Sequence, residues 1–159
     1  KIEASVIQTA KQMVKRISVV PEAMKAVELG GVHSLHDPTE GGLLNGVWEM
    51  AEAAGVGVEI YESKIPIASE TKAVCEALSV DPLKLMGSGA LLIILEKRKV
   101  EKLMSALSEI EVEACVIGEI KRREEGRVMV KVGGSRVELE AVDQDEVYRV
   151  LEEYGNAES

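Results

Sequence analysis

His33-Ser34-Leu35-His36-Asp37-Pro38-Thr39-Glu40-Gly41-Gly42-Leu43-Leu44 reads as a strand that runs into a helix opened by two glycines. Glycine in a helix interior costs roughly 1 kcal/mol relative to alanine, so a pair at the opening calls for a compensating contact. Without Cβ atoms, the free N–H groups of the first turn can face a phosphate or a second stretch of backbone. The helix opens at Thr39 or Glu40, and Leu43, Leu44, Val47, Trp48, Ala51 and Ala54 form its apolar face. Gly55 closes it, and Val56-Gly57-Val58-Glu59-Ile60 then alternates as a strand does.

Upstream, Val6, Ile7, Ala10, Met13, Val14 and Ile17 give a helical rhythm over residues 4–17. A second helix starts at Val20-Pro21 and stops at Gly30-Gly31. Downstream, a loop through Lys64-Ile65-Pro66-Ile67 leads to a helix with Val74, Cys75 and Leu78 on one face. Asp81-Pro82 begins a short turn that ends at Met86, and Gly87-Ser88-Gly89 comes next. The continuous apolar run Ala90 to Leu95 predicts a central strand buried on both faces. Lys97 to Leu107 is amphipathic, and Val112 to Ile120 reads as a strand. Val128 to Val132, Gly133-Gly134 and Arg136 to Glu140 predict a hairpin. Asp143 to Glu153 predicts a closing helix with Val147, Val150 and Leu151 inward, before a frayed tail from Gly155 to Ser159. Helices and strands interleave irregularly, which favours an α+β fold, a mixed β-sheet with packed helices, over a doubly wound parallel one. Residues 1–159 read as a single domain without repeat or linker.

Composition narrows the function. The 159 residues suffice for a proper core, and 46% are apolar, which argues against disorder. With no Phe, one Trp and three Tyr, that core is aliphatic. A net charge of −9 excludes a general binder of nucleic-acid phosphates. No apolar run approaches the ~20 residues of a membrane span, and no signal peptide is visible, so a cytoplasmic location is expected. The first residue is Lys1 rather than Met, as at a processing boundary or the edge of a longer chain.

The chemistry-bearing residues cluster around the glycine pair. In a structural reading Thr39 is the N-cap and Glu40 complements the positive end of the helix dipole, with Gly41-Gly42 serving tight packing. In a functional reading the helix start faces phosphate oxygens or an activated carbonyl oxygen, with Asp37 and Glu40 near Mg²⁺. Two carboxylates beside a polyphosphate repel it unless such a cation intervenes. Gly87-Ser88-Gly89 lacks the lysine and spacing of a P-loop and reads as a turn into a strand or as a second ligand loop. His33 and His36, three apart on a strand, point to opposite faces and make a poor metal pair. Cys75 and Cys115 sit in apolar surroundings and are expected in the core. Lys121-Arg122-Arg123-Glu124-Glu125 reads as an exposed turn between strands.

Taken together, these residues resemble the C-terminal domain of the aminoimidazole-ribonucleotide-synthetase-related superfamily (PurM C-terminal domain-like), most closely its HypE type of hydrogenase expression/formation protein. That superfamily includes selenophosphate synthetase and thiamine monophosphate kinase. Asp37-Pro38-Thr39-Glu40-Gly41-Gly42-Leu43 is similar to the family's Asp-x-Thr-Arg-Gly-Gly-Leu segment. Ala51 to Ile60, Lys64-Ile65-Pro66-Ile67, Cys75-Glu76-Ala77-Leu78 and Asp81-Pro82-Leu83 resemble the family's segments downstream of that motif, so the likeness spans roughly Pro21 to Glu140.

The resemblance implies a two-domain enzyme in which an N-terminal domain forms the dimer and supplies most ATP and Mg²⁺ contacts. The γ-phosphate passes to an amide or carbonyl-type oxygen, making it a leaving group; in HypE proteins that oxygen belongs to a carbamoyl group on a C-terminal cysteine. It also implies catalytic roles for Asp37 and Thr39, metal binding by Asp37, and cofactor binding by Glu40, Gly41, Gly42, Gly87, Ser88 and Gly89. A Gly42→Val change is then expected to block phosphate approach and leave the fold largely intact. The sequence departs from the pattern in three places: the N-terminal domain is absent, the chain ends Asn156-Ala157-Glu158-Ser159 without a cysteine, and Glu40 replaces an arginine. Gly87-Ser88-Gly89 is nearer the purine-synthetase branch.

The leading expectation is therefore a HypE-like paralogue with its own substrate, active only with its N-terminal domain or a partner that supplies it, and dimeric through that domain. Hydrogenase or other metalloenzyme maturation is the implied setting, with no nucleic-acid or membrane partner. The alternatives are a non-catalytic scaffold or interaction module that keeps the fold, and a small-molecule regulatory domain.

Overall fold

Strand β1 (Val32–His36) pairs antiparallel with β3 (Leu92–Leu95), and a bulge at His33 shifts the register between Val32 and Ser34. A second, mixed sheet has the order β4-β2-β5-β6, with β2 at Gly57–Tyr61, β4 at Gly118–Lys121, β5 at Arg127–Val130 and β6 at Arg136–Glu138. Within it β2 runs parallel to β5, and the other two pairs are antiparallel. The helices are α1 (Ala4–Gln12), α2 (Val20–Leu29), α3 (Gly42–Ala54), α4 (Ser69–Leu78), α5 (Val100–Ser108) and α6 (Glu146–Tyr154). This computed structural model describes residues 2–155, so the end of the expected frayed tail and the Asn156–Ser159 terminus lie outside the described residues. The α+β class with mixed pairing is the one the sequence predicts.

Local chemistry explains most boundaries. Pro21 stands in the first turn of α2, where a missing N–H costs nothing, and Gly30 ends that helix. Gly55 closes α3 in the left-handed region at φ 65°, its N–H reaching the Ala51 and Glu52 carbonyls. The expected hairpin forms between β5 and β6, and the charge run becomes an exposed turn between β4 and β5.

The core has two parts. In the larger, Leu44, Val47, Met50 and Ala51 of α3 pack on Val58 and Ile60 of β2 and Met129 of β5, with Leu83 and Leu139 at the margins. The smaller joins Ala26 of α2 to Leu103 and Leu107 of α5. The β1–β3 ribbon lies between them: Leu92 and Ile94 face the first cluster, Ile93 and Leu95 the second.

Four expectations need correction. The Ala90–Leu95 run is covered on both faces, but its strand starts at Leu92, has β1 as its partner and is buried at Leu92 alone, the rest being half-buried or exposed. The Val112–Ile120 strand shrinks to β4, because pairing with β2 begins only at Gly118. In α6, Val147 and Val150 are half-buried while Leu151 is 57% exposed, on a face that no described residue covers. Cys75 is buried as expected, but Cys115 is exposed, its thiol donating to the Lys64 carbonyl at 3.3 Å. Desolvation pushes both thiols above the ordinary range. In the native protein an aromatic disulfide reagent should therefore titrate Cys115 and reach Cys75 only after denaturation; two thiols titrating natively would contradict this placement.

Candidate functional site

The segment that leaves β1 is held by Pro38. Its ring is fully buried, with Gly46 of α3 on one side and Gly87 on the other. A Cβ at Gly46 would stand 2.9 Å from the Pro38 Cβ, and one at Gly87 would stand 3.0 Å from the Pro38 carbonyl oxygen. Asp37 and Thr39 flank this anchor and are exposed. Structure thus brings Gly87 beside the Asp37–Gly42 segment, whereas Gly89 turns away and lies against Arg16 and Ile17. Ser88 is exposed on the link between them.

The helix start differs from the expected cap. Gly41, not Thr39, is the N-cap of α3; it is left-handed at φ 76°, and no side chain caps the helix. Thr39 contributes its carbonyl, which accepts the Gly42 N–H at 3.0 Å. The paired glycines are compensated by backbone. A Cβ on Gly42 would stand 2.5 Å from the Leu85 carbonyl oxygen and 2.7 Å from that of Leu83, and the Leu44 N–H donates to the Leu83 carbonyl at 3.1 Å. Of the two contacts that could justify the glycine pair, a phosphate or a second stretch of backbone, Gly42 makes the second.

Gly41 has a different neighbour. Its N–H donates at 2.8 Å to Oδ2 of Asp145, a buried residue whose Oδ1 accepts the Val147 N–H and so caps α6. Glu40 accepts the Tyr148 hydroxyl at 2.6 Å, and this carboxylate holds the Tyr148 phenol above its usual range. Asn45 donates to the Glu40 carbonyl and to Glu49 at 3.1 Å each, and its Oδ1 accepts the Val142 N–H. Glu49 also meets His36 at 2.9 Å from Nε2. His33 is exposed.

A cavity of about 510 Å³ opens over this network, lined among others by Thr39, Gly41, Asn45, Met86 and Tyr148. Glu40, Glu49, Asp143 and Asp145 also line it, with no lysine, arginine or histidine among the described residues. Its field therefore opposes a bare polyphosphate. Nor do the described residues fit Mg²⁺ unaided: no three His, Cys, Asp or Glu side chains among them converge on a common point, and Asp37 stands exposed. Asn45, Glu49, Asp145 and Tyr148 were not singled out by sequence reasoning. An N-cap signal at Asp145 is visible just ahead of α6, but its bond to Gly41 crosses most of the chain.

The AIR synthase related protein, C-terminal domain, family model matches residues 3–131. The carbamoyl dehydratase HypE of Azotobacter vinelandii is 36% identical over 110 residues, 67% of this chain and 32% of that protein. The crystal structure of E. coli HypE, a hydrogenase maturation protein, superposes with a TM-score of 0.70 at 31% identity, covering 82% of this chain and 42% of that one. A crystal structure of the hydrogenase maturation protein HypE in complex with ATP gives 0.67 at 30% identity, covering 75% and 38%. The chain spans about a third of the length of the curated relatives it matches. By the extent of this match, and by the glycine-opened helix that it includes, the chain belongs to the AIR synthase related family, as a C-terminal domain of that family.

Proposed function

We propose that this chain is the C-terminal part of an ATP-dependent, HypE-like enzyme that activates an amide or carbonyl-type oxygen by phosphoryl transfer. The carrying observation is the convergence of Asp37–Gly42 with Gly87 through Pro38, at the edge of a cavity, in a chain whose structural likeness includes a HypE bound to ATP. In such a reaction the bond from the γ-phosphorus to its bridging oxygen breaks, the substrate oxygen takes the phosphoryl group, and ADP leaves. Catalysis of this kind is mostly positioning and charge neutralisation. Asp37, Thr39, Glu40 and the glycines at 41, 42 and 87, with Ser88, are the residues of this chain proposed to border nucleotide or substrate, whereas Gly89 packs away from them on Arg16 and Ile17. The acidic cavity makes outside help necessary: basic groups, and any further ligands for a Mg²⁺ held by Asp37, would come from an N-terminal domain or a partner that supplies it, which is also the proposed route to a dimer. Hydrogenase or related metalloenzyme maturation, in the cytoplasm, is the proposed setting. No described helix is long and apolar enough to cross a membrane.

A second reading, a non-catalytic interaction module, is favoured by the Asp145 carboxylate already seated on the Gly41 N–H. A Mg·ATP titration separates the two. It is made on the longest polypeptide in which an antibody to this chain finds it in source cells. Saturable binding that perturbs the Gly41 and Gly42 amides is expected; absence of nucleotide binding would leave the interaction module.

A further inference from the structure

We infer that residues 142–154 form a docked strap that closes the start of α3, so that an anion reaches the Gly41 amide only when the strap lifts. This rests on the reading of that helix start as a phosphate or oxygen site. The Asp145 side chain is 2% exposed, and its two oxygens accept N–H groups from the openings of α3 and α6. One carboxylate thus neutralises the positive ends of two helices, where an outside anion would otherwise bind. Val142 covers Gly41 from above: a Cβ built on the glycine would come within 2.9 Å of the Val142 Cβ.

The further polar links lie at the rim. They are Val142 N–H to Asn45, Tyr148 hydroxyl to Glu40, Glu146 N–H to the Lys84 carbonyl, and Arg149 to the Ser79 carbonyl. α6 itself has no buried residue. Its apolar burial is confined to Val142, which packs on the margin of the larger core cluster, and to half-buried Val147 and Val150; an element held mainly by hydrogen bonds opens locally at low cost. The strap also lies beyond residue 131, where the match to the shared family domain ends. It is placed on the amide of Gly41, the N-cap of the glycine-opened helix.

The test compares pyrophosphate binding by the longest polypeptide that contains this chain in source cells and by two variants of it, read from the backbone amide resonances of Gly41 and Gly42. Asp145→Ser removes the carboxylate but leaves a hydroxyl to cap α6. Asp143→Ser removes an equal charge from the cavity wall without touching the Gly41 N–H. Asp145→Ser should bind about tenfold more tightly or better, because the competent, undocked fraction rises, while Asp143→Ser should gain only the smaller factor that one fewer charge in the cavity wall gives. Equal gains in both variants would reduce the effect to charge and overturn the strap. Shifts at Gly41 with unchanged affinity in Asp145→Ser would also overturn it, while leaving the helix start as an anion site. No shift at Gly41 or Gly42 in any protein would remove the phosphate reading itself, and the strap with it. Should Asp145→Ser fail to fold, Tyr148→Phe frees the far rim and should move affinity the same way by a smaller factor; no gain there would overturn the strap.

Discussion

Gly42→Val should unfold or nearly unfold this domain, in contrast to the local block of phosphate approach that the motif alone suggests. Two costs add. The backbone at Gly42 has φ 65°, a region that a β-branched residue adopts only with strain of order 1–3 kcal/mol. The new Cβ would also stand 2.5 Å and 2.7 Å from the carbonyl oxygens of Leu85 and Leu83, backbone atoms that cannot rotate away. Relief means pushing the 83–85 loop off α3, which breaks the Leu44 N–H bond to Leu83 and lifts buried Leu83 from the core. Together these costs come to about 4 kcal/mol or more, a large fraction of the 5–15 kcal/mol that holds a typical domain together. Urea denaturation followed by circular dichroism measures this directly. A midpoint within experimental error of the parent would mean that the 83–85 loop does not pack on the helix start. Gly42→Ala carries the same clash with a smaller side chain and should lie between the two.

Legibility in the sequence divides by distance along the chain. The alternation of Val56 to Ile60, the Gly133-Gly134 turn and the amphipathic rhythm before Leu107 each report on neighbours a few residues away, and they locate β2, the hairpin and α5. The cap of α3 is different. Thr39 with Glu40 after it reads locally as an N-cap with a favourable charge in the first turn, yet Leu83 and Asp145 claim the amides of that turn and set the cap at Gly41. Cys115 fails for a related reason. Its apolar neighbours suggested a buried strand, but pairing with β2 begins only at Gly118, and the thiol is left outside. Ala90 to Leu95 shows that a continuous apolar run reports coverage on two faces, not the number of strand partners. At the site, Asp37–Gly42 and Gly87 are legible as motifs, whereas the acidic wall around them comes from Glu49 and Asp143, which carry no motif, and from Asp145, whose N-cap signal reports on α6 and not on Gly41.

Ile60→Ala should cost about 2–5 kcal/mol, the range for removing most of a buried branched side chain where the surroundings cannot collapse. Ile60 is 2% exposed, in the middle of β2, with Gly118 of β4 and Met129 of β5 opposite it in register. β2 is an interior strand hydrogen-bonded on both sides, so its backbone is poorly placed to move inward and fill the void. The cluster that would lose contact includes Leu44, Val47 and Ala51 of α3, so the lost packing is the floor under the helix that carries Gly41 and Gly42. The control is Leu151→Ala in α6: that side chain is 57% exposed, and its loss should stay within about 0.5 kcal/mol of the parent. Urea midpoints of the two variants decide the matter, with the slopes required to agree before the midpoints are compared. A cost below about 1 kcal/mol for Ile60→Ala would mean that α3 does not rest on β2. A large cost for Leu151→Ala would mean that α6 is packed against apolar surface, and the strap would then be a permanent part of the domain rather than a removable cover.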